Sequence, residues 1–292
     1  MKKTIYSTTR YRLKKSQFFY FAVCLFSGIT MIPLFLILWE LVKKGYKQFN
    51  ISLFTEIAPS SMEAMFARVN GEVIPGGILN GITGTLLILA LATLIAIPIG
   101  IMGGIFLAEN KDSKLARLVR ALSDLLQGIP SIVIGVVVYM WVVKSMYSYS
   151  ALAGSIALAI MMLPMIIRST EESLKMLPTS LKEAGLALGG SYTTVVMRVL
   201  VPSAFSGIFT GSLLATSRVM GETAPLLVTA LGAASVNWDV TSPTSAISLL
   251  IWEFYNDPNL VALVWSSSLL LLLLVLGMNI LAKNISKKWK IQ

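Results

Sequence analysis

The chain has 292 residues, 55% of them hydrophobic and only 13% charged, with a mean hydropathy of +0.77. That excludes an ordinary soluble domain, in which roughly a quarter of the residues are charged. The formal charge of +10, from 24 Lys and Arg against 14 Asp and Glu, would suggest nucleic acid for a soluble chain, but between apolar runs of span length the placement of the positive residues matters more than their sum, and no nucleic-acid partner is expected.

Residues 1–17 form a basic tail carrying Lys2, Lys3, Arg10, Arg12, Lys14 and Lys15. The run 18–39, free of charge between Lys15 and Glu40 and interrupted only by Pro33, predicts a first transmembrane helix. At about 22 residues, with no Ala-x-Ala after it, it reads as an uncleaved anchor and not a signal peptide. Residues 40–77 follow as an extracytoplasmic loop. Five further spans, at 78–107, 125–143, 151–167, 202–220 and 260–282, make a five-helix transmembrane core over 78–282. The span at 78–107 outruns a bilayer core of roughly 30 Å, so it tilts, kinks at Pro98 or protrudes. Residues 283–292 form a second basic tail. The expected fold class is an all-α membrane protein with six transmembrane helices.

Positive charge sets the orientation. The two tails and the segments 108–124 and 168–198 hold 18 Lys and Arg, against six on the other side, while acidic residues show no such bias at six against eight. Both termini are therefore expected in the cytoplasm. Trp39, Trp141 and Trp265 fall near the outer ends of three spans, where indole rings favour the interface. Gly77-x-x-x-Gly81 and Gly100-x-x-x-Gly104 offer close helix contacts at either end of the second span.

Absences narrow the chemistry. Without any histidine the chain can hold no His general base, no Ser-His-Asp arrangement and no His-bearing zinc site. Its one cysteine, Cys24, forms no internal disulfide. Neither GxxxxGK[ST] nor GxGxxG occurs, so any ATP and Mg are bound by a partner chain, and no cofactor, metal or catalytic residue is expected in this one.

Within the loop 168–201, Pro178 starts and Gly189-Gly190 stops a short helix whose apolar side holds Leu181, Ala184, Gly185 and Leu188. An isolated helix of about ten residues is marginal in water, so it must dock on something. Ser191 can cap a second short helix through Leu200, set at a right-angled turn, after which Pro202 kinks or opens the fifth span.

Arg218 lies roughly 24 Å along a helix from Pro202, within or at the outer edge of the membrane, where it needs a partner or a watery cavity. Glu222 is four residues on and shares its face if the helix persists. Two readings stay open here: a buried ion pair that orders the end of the fifth span, or an anion pathway in which the planar Arg218 fork meets the oxygens of an oxyanion and Glu222 accepts from one that still carries a proton near neutral pH. Ser131, Asn80 and Thr223 are further candidates for the conduit; a helix-start turn is the alternative for Ser131 and an interhelical hydrogen bond for Asn80. Residues 221–259 are rich in Thr, Ser, Pro and Gly, with an apolar stretch at 246–255 that re-enters or lies on the membrane.

Glu183-Ala184-Gly185, then Gly189, then Val199-Leu200-Val201-Pro202 resembles the EAA loop of ATP-binding-cassette importer permeases, EAA-x3-G-x9-I-x-L-P. Gly128-Ile129-Pro130-Ser131-Ile132-Val133-Ile134-Gly135, Leu163-Pro164 with Arg168-Ser169-Thr170-Glu171-Glu172, and Arg218-Val219-Met220-Gly221-Glu222-Thr223-Ala224-Pro225-Leu226-Leu227 extend the likeness over about residues 75–282 to phosphate-specific importer permeases of the PstA type. The resemblance implies a type I importer (MetI-like) permease fold in the bacterial cytoplasmic membrane, moving inorganic phosphate by alternating access. Glu183, with Ala184, Gly185, Leu188 and Gly189, would form the coupling helix seated in a groove of an ATPase subunit. Gly185 replaces the family's third Ala, leaving that helix contact slightly less filled. Implied partners are a second permease (PstC type), two ATP-binding subunits (PstB type) and an extracytoplasmic phosphate-binding protein (PstS type), beside membrane lipid. A homodimer of this chain, a permease for molybdate or sulfate, and an ion-coupled secondary transporter are the alternatives.

Overall fold

The computed structural model describes residues 2–288; Met1 and residues 289–292, the extremities of the two predicted tails, lie outside the described residues. Those described are helical, with one isolated bridge between Leu231 and Thr244 and no strand.

Helix α1 (Lys2–Gly45) takes in the predicted first span with Pro33 inside it. Its apolar window is unburied, as for a helix facing lipid. Only its last turns dock: the Lys44 ammonium lies 4.5 Å from the centre of the Trp265 ring and pairs with Glu40 at 2.8 Å. Two short helices follow, α2 (Ser52–Thr55) and α3 (Ser61–Asn70). Ser60 and Glu63 form a reciprocal capping box at the start of α3, and Gly71 ends it at φ 71°. The loop in turn caps the next helix, α4 (Leu79–Glu109), because the N–H groups of Gly77, Ile78 and Leu79 donate to the carbonyls of Ile57, Leu53 and Glu56 at 2.9 Å each. With 31 residues, α4 runs about 46 Å and outreaches the bilayer core.

The third predicted span is corrected. Residues 125–128 belong instead to α5 (Lys114–Gly128), and the span begins at Ser131 with α6 (Ser131–Val138), passes through a π-helical turn at Tyr139–Val143 and ends in α7 (Lys144–Met146). The two parts meet at 106°. Pro130 is the local cause: it holds Ile129 extended (φ −77°, ψ 132°) and ends α5.

Next, α8 (Ala151–Lys175), capped by Ser150, extends beyond the predicted 151–167. α9 (Thr179–Ala187) is the short helix expected after Pro178, and Gly189 turns the chain at φ 82°. The second short helix does not stand alone: α10 (Tyr192–Val195), capped by Ser191, continues through a π-helical turn at Val196–Leu200 into α11 (Val201–Val219). Pro202, lacking an N–H, falls in the first turn of α11, where the π turn has already loosened the ladder. A single turn, α12 (Ala224–Leu227), precedes α13 (Ile247–Asn256), and α14 (Val261–Lys288) completes the bundle. The apolar stretch 246–255 therefore forms a helix that buries Ile247, Leu250 and Phe254 in a cluster with Ile78 and Leu263.

Among the described residues five helices are long and apolar enough to cross a membrane, or six when the bent pair of α5 and α6–α7 is counted as one broken span. α8 is the central wedge, packed between α4 and α11. Gly100 and Gly104 of α4 admit Ile166 and Thr170 of α8, while Gly207 and Gly211 of α11 admit Ser173 and Ser169 on its other side. A second Gly-x-x-x-Gly pair in α11, unnoticed in the sequence, thus works with the first. Apolar packing continues through Ile88, Leu158, Met162, Ala215 and Leu226.

Candidate functional site

Two regions at opposite ends of the bundle carry the candidate residues. At the end holding α13, α11 stops at Val219, and Glu222 follows in a turn, its N–H donating to the Val219 carbonyl at 3.1 Å. The helix does not persist to place Glu222 over Arg218, and among the described residues no ion pair joins them. The buried ion-pair reading is thereby overturned. Arg218 is exposed and lines an open cavity of about 570 Å³ with Ser217, Thr223, Ser248 and Ser268; Leu41 of α1 and Leu271, Leu272 and Val275 of α14 are among its apolar lining. An exposed guanidinium beside an open cavity has the access to solvent that a charge near a membrane requires. The Glu222 carbonyl accepts from Ser248 Oγ at 3.0 Å, which ties the turn to α13.

Of the five pathway candidates, Arg218 and Thr223 share this cavity, and Glu222 is the residue between two of its lining positions, Gly221 and Thr223. Asn80 lies elsewhere. It is 2% exposed, its Oδ1 accepting from the Ala58 N–H at 3.3 Å and its Nδ2 donating to the Ala233 carbonyl at 2.9 Å. That pattern is a cross-brace between the loop before α3 and the segment after α12, beside a separate cavity of about 720 Å³. Ser131 is half-buried at the first turn of α6, where the 106° bend occurs, and does not line the Arg218 cavity. Sequence reasoning missed the serines: Ser266-Ser267-Ser268, breaking an otherwise apolar helix, was the signal for Ser268.

At the other end, α9 buries no residue. Leu181 packs beside Leu174 and Val196, whereas Glu183 and Ala184 are exposed and Leu188 is 90% exposed. The expected apolar side thus splits, one part docking within the chain and the other left free. A β-carbon at Gly185 would come within 2.9 Å of Val195 Cγ1. Within the chain, Gly185 thus faces the Val195 side chain at the start of the fifth span.

Two charged clusters brace this end, and neither was anticipated. Lys182 of α9 pairs with Glu109 at the end of α4, and the Tyr192 hydroxyl donates to the same carboxylate oxygen. Burial opposes the Lys182 charge, but the hydrogen bond to Glu109 outweighs it and holds the ammonium above its usual pKa. In the second cluster, Arg120 of α5 donates to Glu171 of α8 at 2.8 Å, to the Leu107 carbonyl at 2.9 Å and to the Lys111 carbonyl at 3.1 Å, so the bend before α6 is clamped to α4 and α8.

Residues 100–291 match the family model for the binding-protein-dependent transport system inner membrane component. The chain is 40% identical over 275 residues to the phosphate transport system permease protein PstA of Yersinia pestis, covering 92% of this chain and 90% of that protein. It is 37% identical to the protein of the same name from Haemophilus influenzae, with 85% of each covered. Among solved structures, the inward-facing MetNI methionine ABC transporter superposes with a TM-score of 0.59 at 21% identity, over 80% of this chain and 99% of the other. That likeness establishes the MetI-like permease fold.

Proposed function

The chain belongs to the family of binding-protein-dependent transport system inner membrane components, and from that premise we propose how it carries phosphate. It is a multi-pass membrane permease subunit of an ATP-binding-cassette phosphate importer, a reading carried by 40% identity to a phosphate permease across 92% of the chain. It performs no covalent chemistry. ATP and Mg are held by a separate ATPase dimer, a second permease of PstC type completes the conduit, and a phosphate-binding protein delivers the anion from outside. Both termini, α5 and α9 face the cytoplasm; the Arg218 cavity opens toward the outer side, in keeping with the excess of Lys and Arg at the α9 end.

Arg218 supplies the fixed charge. Its planar fork matches two oxygens of a tetrahedral oxyanion; the hydroxyls of Thr223 and Ser268 can donate to oxygen or accept from P–OH, while Ser248, whose proton goes to the Glu222 carbonyl, can accept. Glu222, flanked by two lining residues, is the carboxylate available to accept a hydrogen bond from the P–OH of monohydrogen phosphate, a donor that sulfate lacks. Because the cavity is open and the guanidinium exposed, the anion is held loosely enough to leave. Ser131, at the hinge of the bent span, and Asn80, through its brace, act on the conduit by shaping it.

Glu183, Ala184, Gly185, Leu188 and Gly189 form the contact to the ATPase. A nine-residue helix with no buried side chain and a nearly bare Leu188 is suited to completion by a partner's groove. Closure of the ATPase dimer on ATP then displaces α9, and the core helices alternate between outward and inward openings.

The deciding experiment is uptake of labelled phosphate at low external concentration by proteoliposomes holding this chain and its partners, with ATP inside and excess sulfate or molybdate outside. Uptake that needs ATP and resists both competitors supports the assignment. Loss of uptake to either one reassigns the cargo and removes the hydrogen-bond acceptor role of Glu222.

A further inference from the structure

The coupling helix has few attachments to its own chain, and they differ in kind. Gly185 packs α9 onto the start of the fifth span at Val195, and Leu181 joins an apolar cluster shared by Val196, Leu174 of α8 and Ala108 of α4, a contact without direction or charge. Lys182 reaches past that span to a different element, the last residue of α4, where Glu109 receives both the ammonium and the Tyr192 hydroxyl. The Lys182 Nζ also lies 3.4 Å from the Tyr192 oxygen and 4.6 Å from the centre of its ring, so one cation binds α4, α9 and α10 at a single point. Glu109 is only 11% exposed and Lys182 33%, which places the pair where water screens it weakly.

What lies at the far end of α4 gives this point its consequence. Asn80 braces the first turn of α4 to the segment after α12, and Thr85, one turn on, accepts from the N–H of Ile247, which opens α13. α13 carries Ser248, and that serine both lines the Arg218 cavity and holds the carbonyl of Glu222. Hence a 31-residue rod runs from the coupling helix to the anion cavity, fastened by polar contacts at each end. A displacement of α9 that reached only α11 would move the wall formed by Ser217 and Arg218. One that also reaches α4 moves the α13 wall of the cavity with it.

We propose that Lys182, clasped to Glu109 and Tyr192, is a positioning residue that transmits the displacement of α9 to α4, so that both walls of the Arg218 cavity move in the same transport step. This rests on the reading of α9 as the ATPase contact but assigns Lys182 a role distinct from docking, since its ammonium is turned into the chain while Glu183 and Leu188 are exposed.

The test uses the assembled importer in proteoliposomes, with phosphate uptake and ATP hydrolysis read on the same vesicles. Lys182→Ala should copurify with the ATPase and lower the phosphate moved per ATP hydrolysed by about fivefold or more, the lower range of coupling between linked sites. Lys182→Arg should keep the ratio near normal, and the exchange Glu109→Lys with Lys182→Glu should recover most of what either charge reversal loses alone. An unchanged ratio in Lys182→Ala, loss of the ATPase from that variant, or an exchange no better than its single components would each overturn the clasp. Glu183→Arg in the same preparation separates the two ideas. If that variant keeps its ATPase, the docking assignment fails; if it loses its ATPase while Lys182→Ala transports with an unchanged ratio, docking stands and the clasp alone falls.

Discussion

Gly104 and its neighbour Gly103 offer a sharp measurement of the packing that holds this permease together. A β-carbon at Gly104 would sit 2.7 Å from the Ile167 carbonyl oxygen and 2.8 Å from Thr170 Cγ2, with Thr170 Cβ nearer still. All are well inside the ~3.5–4.0 Å of a favourable contact. The nearest obstacles are backbone and a β-branch point, neither of which can swing aside, so α4 and α8 must part. At Gly103 the added carbon would meet only Ile167 Cγ1 at 3.2 Å and Cδ1 at 3.4 Å, side-chain atoms that yield by a few tenths of an ångström. Both substitutions gain the same helix propensity, about 1 kcal/mol for Gly to Ala. Overpacking a filled site costs about 1–3 kcal/mol. Gly104→Ala should therefore be less stable than Gly103→Ala by about 1–3 kcal/mol, with Gly103→Ala close to or slightly above the parent. Reversible denaturant titration of the purified permease in mixed micelles measures the difference. Equal stabilities would refute the claim that α8 is seated against bare α4 backbone.

Other outcomes follow from the same geometry. Arg218→Lys should assemble normally yet take up phosphate at least about tenfold more slowly, since a point charge cannot replace the fork and one charged hydrogen bond is worth about 1.5–3 kcal/mol; full transport would remove the residue from the mechanism. Leu188→Asp should leave the permease's own stability within about 0.5 kcal/mol, as expected for a side chain 90% exposed, while pull-down of the ATPase weakens. A stability loss there would show that Leu188 is buried within the chain. The pH dependence of coupling has a definite sign: with its pKa raised above 10.5 by Glu109, Lys182 contributes fully below pH 10.5 and is lost only as pH rises through that higher value. Phosphate moved per ATP should accordingly be flat from about pH 6 to about 9 so far as Lys182 governs it, and a midpoint within that window assigned to Lys182 by loss in Lys182→Arg would contradict the clasp.

The sequence by itself determined which segments are apolar enough to cross the membrane, the asymmetric placement of Lys and Arg, and a short helix between Pro178 and Gly189. Each is a local property. In lipid every backbone polar group must be satisfied within its own helix, so about twenty apolar residues suffice to specify a span. Tertiary structure decided whatever depends on neighbours distant in the chain. The leucines at 125 and 126 read as the start of a span, yet they lie on α5, turned through 106° and clamped by Arg120 to Glu171, 51 residues away. Spacing alone put Arg218 and Glu222 on one face, but α11 ends at Val219 and the hydroxyls of Ser248 and Ser268, from two later helices, meet the cavity instead. That Gly185 faces Val195 inside the chain is likewise a matter of packing between helices. Helix periodicity carries information over three or four residues, whereas a cavity or an ion pair is fixed by which helices pack together, and that is settled by close contacts such as those of Gly104 and Gly211 with α8.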